Sequence, residues 1–249
     1  MITSKENSLI KKIKSLSQKK YRDEHGQYIV EGIKICDEAI KYANVEVLVI
    51  CLELFNSFNK SKYSKARVEY VSKNVFESIS DTKTPQGILA IVNIPKSKKI
   101  TDKVVFALDC VQDPGNLGTI IRSLDAFGYK DLIVSNDTVD PFNPKVVRST
   151  MGSILRLNIV CADLKDKLIE YKNLGYKIVA TSLETNKTIY DIDSGVKQII
   201  VMGNESNGVS QFIQNKADLR VKIPMQGKAE SLNVAVATSL VAYEITRKK

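Results

Sequence analysis

Apolar residues in the first 26 positions fall at Leu9, Ile10, Ile13 and Leu16, a helical spacing set among Lys5, Lys11, Lys12, Lys14, Lys19, Lys20 and Arg22. The pattern predicts one short, basic, amphipathic helix. Tyr28–Glu31 and Val45–Ile50 then read as strands, and Gly32–Ala43 as a helix with Ile33, Cys36, Ile40 and Ala43 on one face. Val68–Val71 and Gly87–Val92 add two strands, with a helix near Val75 between them, so the first hundred residues predict a small α/β unit. From Val104 onward the short apolar runs Val104–Leu108, Leu132–Val134, Tyr176–Ala180, Gln198–Met202 and Leu219–Ile223 alternate with helix-forming sequence. Such alternation predicts an α/β fold with a mainly parallel sheet covered on both faces. The lysine-rich Pro95–Ile100 reads as the connection. The expected organisation is a domain at 1–94, a linker at 95–103 and a second domain at 104–249.

Composition narrows the classes. With 249 residues, 43% hydrophobic and 26% charged, the chain is globular rather than disordered. Its apolar runs, such as Ile199–Met202, fall far short of the ~20 residues of a membrane helix, and the lysine-studded start has no apolar signal core. A cytoplasmic protein with no membrane partner is expected. The four cysteines, Cys36, Cys51, Cys110 and Cys161, lack paired spacing, and His25 is the single histidine, so no metal site is expected.

Charge points to a phosphate-rich partner. The 37 basic and 28 acidic residues give +9. Residues 1–100 carry 18 Lys/Arg and 11 Asp/Glu, net +7, whereas residues 101–249 carry 19 and 17, net +2. Thirty of the basic residues are Lys, so solvated lysine faces account for the same excess without any nucleic acid.

In parallel sheets ligands sit outside the carboxyl ends of the strands, which directs attention to three loops. Asp113-Pro-Gly-Asn-Leu-Gly118 runs into a helix bearing Arg122; its glycines allow an anion to approach free backbone amides, although it matches neither the dinucleotide nor the phosphate-loop pattern. Gly203-Asn-Glu-Ser-Asn-Gly208 leaves a buried strand and enters a helix; a ligand-binding turn and a plain strand-to-helix turn would both use these residues. Ile223-Pro-Met-Gln-Gly-Lys-Ala-Glu-Ser-Leu-Asn233 precedes an apolar helix, Val234–Ile245, with Ser231 as the expected N-cap.

Together the three loops resemble the signature motifs of the SpoU, or TrmH, class of RNA ribose 2'-O-methyltransferases of the SPOUT superfamily. Asp113–Arg122 with Ala126-Phe-Gly128 is similar to the first motif, Gly203-Asn-Glu205 with Gly208 to the second, and Ile223-Pro-Met with Glu230-Ser-Leu-Asn233 to the third. Their order and spacing match across 104–249. Tyr28–Gly32 and Thr84-Pro-Gln-Gly87 are similar to the class's substrate-binding domain. The resemblance implies a SPOUT-like fold with a deep trefoil knot, S-adenosylmethionine as cofactor, an RNA substrate and a homodimer with a shared active site. It assigns catalysis to Arg122, with Asn116, Glu205, Ser231 and Asn233 as organisers. It places the cofactor against Gly203, Ile223 and Leu232, with Thr181, Leu183 and Met225 as further candidates.

A ribose 2'-hydroxyl must lose its proton as it attacks the sulfonium methyl, and residues 26–249 contain no histidine to take it. The resemblance gives this role to Arg122, helped by an RNA phosphate. Because arginine is ordinarily protonated, a positioning or charge-stabilising role stands beside general-base action. Ribosomal RNA is the expected substrate, with transfer RNA, a non-catalytic RNA-binding or ribosome-assembly protein, and a nucleotide-dependent dehydrogenase as competitors. Transfer of labelled methyl to RNA separates catalysis from mere binding. A binding comparison of S-adenosylmethionine with NAD tests the dehydrogenase reading.

Overall fold

The computed structural model describes residues 1–55, 59–64, 66–204 and 206–248. In chain order the elements are α1 (Ser8–Ser15), α2 (Lys19–His25), β1 (Gln27–Glu31), α3 (Ile33–Tyr42), β2 (Val45–Ile50), β3 (Val68–Tyr70), α4 (Lys73–Glu77) and β4 (Ile88–Asn93). Next come β5 (Val104–Leu108), α5 (Pro114–Ala126), β6 (Asp131–Ser135), α6 (Pro144–Ser149), β7 (Asn158–Ala162) and α7 (Leu164–Asn173). The chain closes with β8 (Lys177–Thr181), β9 (Gln198–Met202), α8 (Gln211–Lys216), β10 (Leu219–Val221) and α9 (Val234–Arg247). Two compact units result, one from residues 1–96 with 142–155, the other from 97–141 with 156–249.

The first unit is a four-stranded sheet in the order β1-β4-β2-β3, antiparallel except for the β2·β3 pair. Ile10, Ile13 and Leu16 of α1 and its C-cap pack with Val75 and Phe76 of α4 against Val47, Val49, Leu89 and Ile91. The basic segment is two helices rather than the one its apolar spacing predicts. Arg22 supplies the reason: its guanidinium is buried and donates to the carbonyls of Leu16 (2.8 Å) and Ser17 (2.7 Å). Those donors satisfy backbone oxygens that a continuous helix would have bonded internally. Arg22 therefore leaves the basic surface on which the sequence placed it.

Residues 142–155, which lie within the 104–249 stretch of the sequence, pack with this first unit. Phe142 meets the Tyr28 ring with centroids 4.9 Å apart, α6 lies on β1, and Arg148 donates to the Asp81 carbonyl at 2.9 Å and to its carboxylate. Gly152 has φ +98°, a backbone conformation that strains any residue with a Cβ, and a Cβ there would also displace the Glu38 carboxylate.

The second unit is a six-stranded, wholly parallel sheet in the order β10-β8-β9-β5-β6-β7. Val105, Ala107, Ile133, Ile199 and Val201 face Leu164, Leu168 and Tyr171 of α7 and Ile213 of α8. On the opposite face Phe106 meets Tyr129 edge-on at 5.0 Å, and the Tyr129 hydroxyl donates to the Ala242 carbonyl of α9. Helices thus cover both faces, as the alternation predicts. The sequence reading omits the strand β7, and β10 stops at Val221, so Ile223 lies beyond it. Among the described residues no helix is long and apolar enough to cross a membrane.

Asp218 locks the entry to β10: its carboxylate accepts from the Ile178 amide (2.8 Å) and from Lys172 Nζ (2.7 Å). Burial pushes its pKa up, but those two donors outweigh burial and hold it below the usual carboxylate value. A depressed folded pKa contributes stability above the unfolded value near 4, which is lost as pH falls through the folded one. Asp218→Asn is therefore expected to lower the melting temperature at pH 7, with the difference from the parent closing below about pH 4.

Candidate active site

Four adjacent parallel strands, β10, β8, β9 and β5, end at the same edge of the second unit's sheet. The segments leaving them carry all but three of the candidate residues. Ser231, Leu232 and Asn233 come from the approach to α9 instead.

At the end of β5, the Asp109 amide donates to the Met202 carbonyl (2.9 Å), and its carboxylate accepts from the Ser210 amide (2.8 Å). Cys110 follows with φ +61°, a left-handed conformation that turns the chain sharply. Its amide donates to Ser135 Oγ (3.0 Å), and its carbonyl accepts from Asn204 Nδ2 (2.8 Å). Asp113 then caps α5, its side chain accepting from the Asn116 amide at 2.8 Å, with Pro114 in the first turn.

The turn after β9 is closed on itself. Asn204 and Gly208 exchange backbone hydrogen bonds of 3.0 and 2.9 Å, and Asn204 Oδ1 accepts from the Ser206 amide at 2.8 Å. Gly203 is buried, and a Cβ there would lie 2.0 Å from the Gly208 carbonyl carbon and 2.1 Å from the Val209 nitrogen. Any other residue would force the turn apart. Glu205 lies outside the described residues.

Asn233, not Ser231, caps α9, accepting from the amides of Ala235 (2.9 Å) and Val236 (3.3 Å). The hydrophobic run begins at Val234, so the adjacent polar side chain is the one within reach of the first turn. The same Asn233 donates through Nδ2 to Asn116 Oδ1 at 2.9 Å, tying the third loop to the first. A Ser239–Ser123 contact of 2.8 Å continues that tie between α9 and α5.

Of the candidates for catalysis, Asn116 and Asn233 are thus brought together. Arg122 is exposed on α5 and makes no ion pair or hydrogen bond with the described residues. Six positions from Asn116 correspond to ~9 Å along the axis and roughly a third of a turn away from its face. Ser231 is exposed. Among the cofactor candidates, Thr181 donates to the Val201 carbonyl (3.2 Å), while its own carbonyl accepts from Gln214 Nε2 (2.9 Å). Ile223, Met225 and Leu232 are half-buried, and Leu183 is exposed. Sequence reasoning missed Asn204 and Asp109 as fasteners between the first and second loops; their polar character next to strand ends was the available signal. Among the described residues no group of three or more His, Cys, Asp or Glu is placed to hold a metal ion.

The profile of the SpoU rRNA Methylase family matches residues 103–243, and that of the MRM3-like substrate binding domain matches residues 7–90. RlmP of Bacillus subtilis, a 23S rRNA (guanosine(2553)-2'-O)-methyltransferase, is 33% identical over 244 residues, 98% of each chain. The AdoMet-bound rRNA methyltransferase of Sinorhizobium meliloti has a TM-score of 0.88 at 32% identity, with 99% of this chain and 97% of that one covered. The solved structure of an RNA 2'-O ribose methyltransferase has a TM-score of 0.83 at 27% identity, covering 99% and 98%.

Loss of an N-cap costs about 0.5–2 kcal/mol, more than loss of one exposed side-chain hydrogen bond. Asn233→Ala is accordingly expected to destabilise the protein by about 1–2 kcal/mol in urea unfolding. Asn116→Ala, which keeps the Asp113 cap, should cost less than half of that.

Proposed function

The chain belongs to the SpoU rRNA Methylase family, and we propose that it transfers a methyl group from S-adenosylmethionine to a ribose 2'-hydroxyl of ribosomal RNA. The observation that carries this reading is the convergence of three sequence-distant loops, fastened through Asn204, Asn116 and Asn233, at the carboxyl edge of a parallel sheet.

The residues at that edge fit the cofactor. Gly203 lets the turn after β9 close tightly on Gly208 and Val209, and Ile223, Leu232, Met225, Thr181 and Leu183 would supply apolar and polar surface for an adenosine. When bound, S-adenosylmethionine supplies an electrophilic methyl group on a sulfonium. Arg122, exposed and without a partner among the described residues, is free to meet RNA. Its guanidinium would stabilise the negative charge that develops on the 2'-oxygen, with an RNA phosphate within its reach. Asn116 and Asn233 hold the segment bearing it in register; Glu205 and Ser231 would complete the substrate contacts. The first unit, net +7, would grip the RNA backbone.

A homodimer completes the proposal. Val236, Leu240 and Tyr243 lie along one face of α9 and are 49%, 40% and 54% exposed, an apolar stripe suited to a second copy. A deep trefoil knot accords with the path of the chain. From the edge strand β10 it returns past β8 and β9 to cap α9 beside α5, while Lys187 and Thr188 pair across Lys222. A cytoplasmic location goes with a ribosomal RNA substrate.

Arg122→Ala is expected to lower kcat for methylation of 23S rRNA by about a hundredfold or more, with S-adenosylmethionine affinity within threefold of the parent. Turnover near normal would remove Arg122 from the reaction. Leu240→Glu with Tyr243→Glu should convert a dimer to a monomer in sedimentation and abolish methylation. A parent enzyme that is monomeric while active would overturn the shared site.

A further inference from the structure

The first unit contains a cleft of about 630 Å3 between α1, α6, the end of β1 and the segment 78–81. This lies within the roughly 300–1,000 Å3 range of small-ligand sites, room for one nucleotide. Half-buried Ile29, Ile35 and Ile79 leave apolar surface inside it. Its two carboxylates are already committed. Glu31 accepts from Ser80 Oγ, Thr82 Oγ1 (3.0 Å) and the Asp81 amide (3.0 Å), and Asp81 accepts from Arg148. Lys14 of α1 and Lys145 of α6 also line the cleft, are exposed, and have no ion-pair partner among the described residues. Lys14, Lys145 and Arg148 outnumber Glu31 and Asp81 in the lining, so its balance is positive, and the two exposed lysines come from chain positions 131 residues apart.

Binding of RNA can take an unpaired base out of the stack, onto aromatic or guanidinium planes or into a pocket of apolar side chains, while cations hold the flanking phosphates. On the reading that this chain methylates RNA, we infer that the cleft receives one unpaired nucleotide of the substrate. Its base would lie on Ile29, Ile35 and Ile79, and its flanking phosphates on Lys14 and Lys145. The cleft thus acts in choosing the RNA, apart from the edge where methyl transfer occurs. A peptide partner would find the same isoleucines but would require acidic residues to satisfy both lysines.

The test uses the full chain and a 23S rRNA transcript. Lys14→Ala with Lys145→Ala is compared with Lys20→Ala with Lys41→Ala, a pair of equal charge change on α2 and α3 of the same unit. The cleft pair is expected to raise the Kd about tenfold and to lower the log Kd against log salt slope by about 1.4, two phosphate contacts on single-stranded RNA. The other pair should change Kd less than threefold, and both should melt with the parent. In a second measurement, 4-thiouridine-substituted transcript irradiated with the parent chain should crosslink to the peptide containing Ile79. Equal effects from the two pairs, or crosslinks confined to other peptides, would overturn the cleft assignment while leaving methylation intact. RNA affinity unchanged by the cleft pair would likewise overturn the cleft assignment. Absence of any methylation of RNA by the parent would instead overturn the enzymatic reading itself.

Discussion

In a sheet whose strands all run the same way, every segment that follows a strand leaves at one edge. In the second unit this single constraint gathers residues 109–116, 181–183, 203–204, 206–210 and 222–225 into one row, although they span more than a hundred positions of sequence. Everything else about the site refines that gathering. Helices on both faces make the sheet buried and rigid, and the loops need only short-range fastening to hold a defined geometry.

The fastening is made of hydrogen bonds rather than ion pairs. Asn204 bonds its own turn and, through the Cys110 carbonyl, the neighbouring one; Asn233 caps a helix and reaches Asn116. The carboxylates in the row, Asp109 and Asp113, accept from backbone amides of Ser210 and Asn116. Arg122 stands exposed at a distance from these fasteners, on another face of the same helix.

The buried strands were legible because Val104–Leu108 and Gln198–Met202 are continuous apolar runs, the mark of strands covered on both sides. β7 was not: Asn158-Ile-Val-Cys-Ala162 lies at the sheet's edge with only Val160 buried, so no run or clean alternation announces it. The break between α1 and α2 was hidden for a different reason. Apolar spacing reports which side of a helix is covered, and Arg22 turns inward to bond carbonyls, a use of charge that spacing cannot reveal. At the site, the three motifs marked the correct strand ends, but the choice of Asn233 over Ser231 as cap depended on where the first helical turn begins. The Asn116–Asn233 contact joins residues 117 apart and has no local signature.

The excursion of residues 142–155 into the first unit bears on synthesis. That unit cannot close before residue 155 has been made, because Phe142, Arg148 and Gly152 belong to its packing. By then β5 and β6 exist, yet the partner of β5 on its other side, β9, is still more than forty residues from being translated. Two buried strands, one of them wholly apolar, must therefore wait, each with one edge unpaired, while the ribosome supplies the rest of the sheet. A nascent chain in that condition is exposed to wrong pairing. Protection by a chaperone during this interval, rather than stability once folded, would then limit how much enzyme a cell obtains.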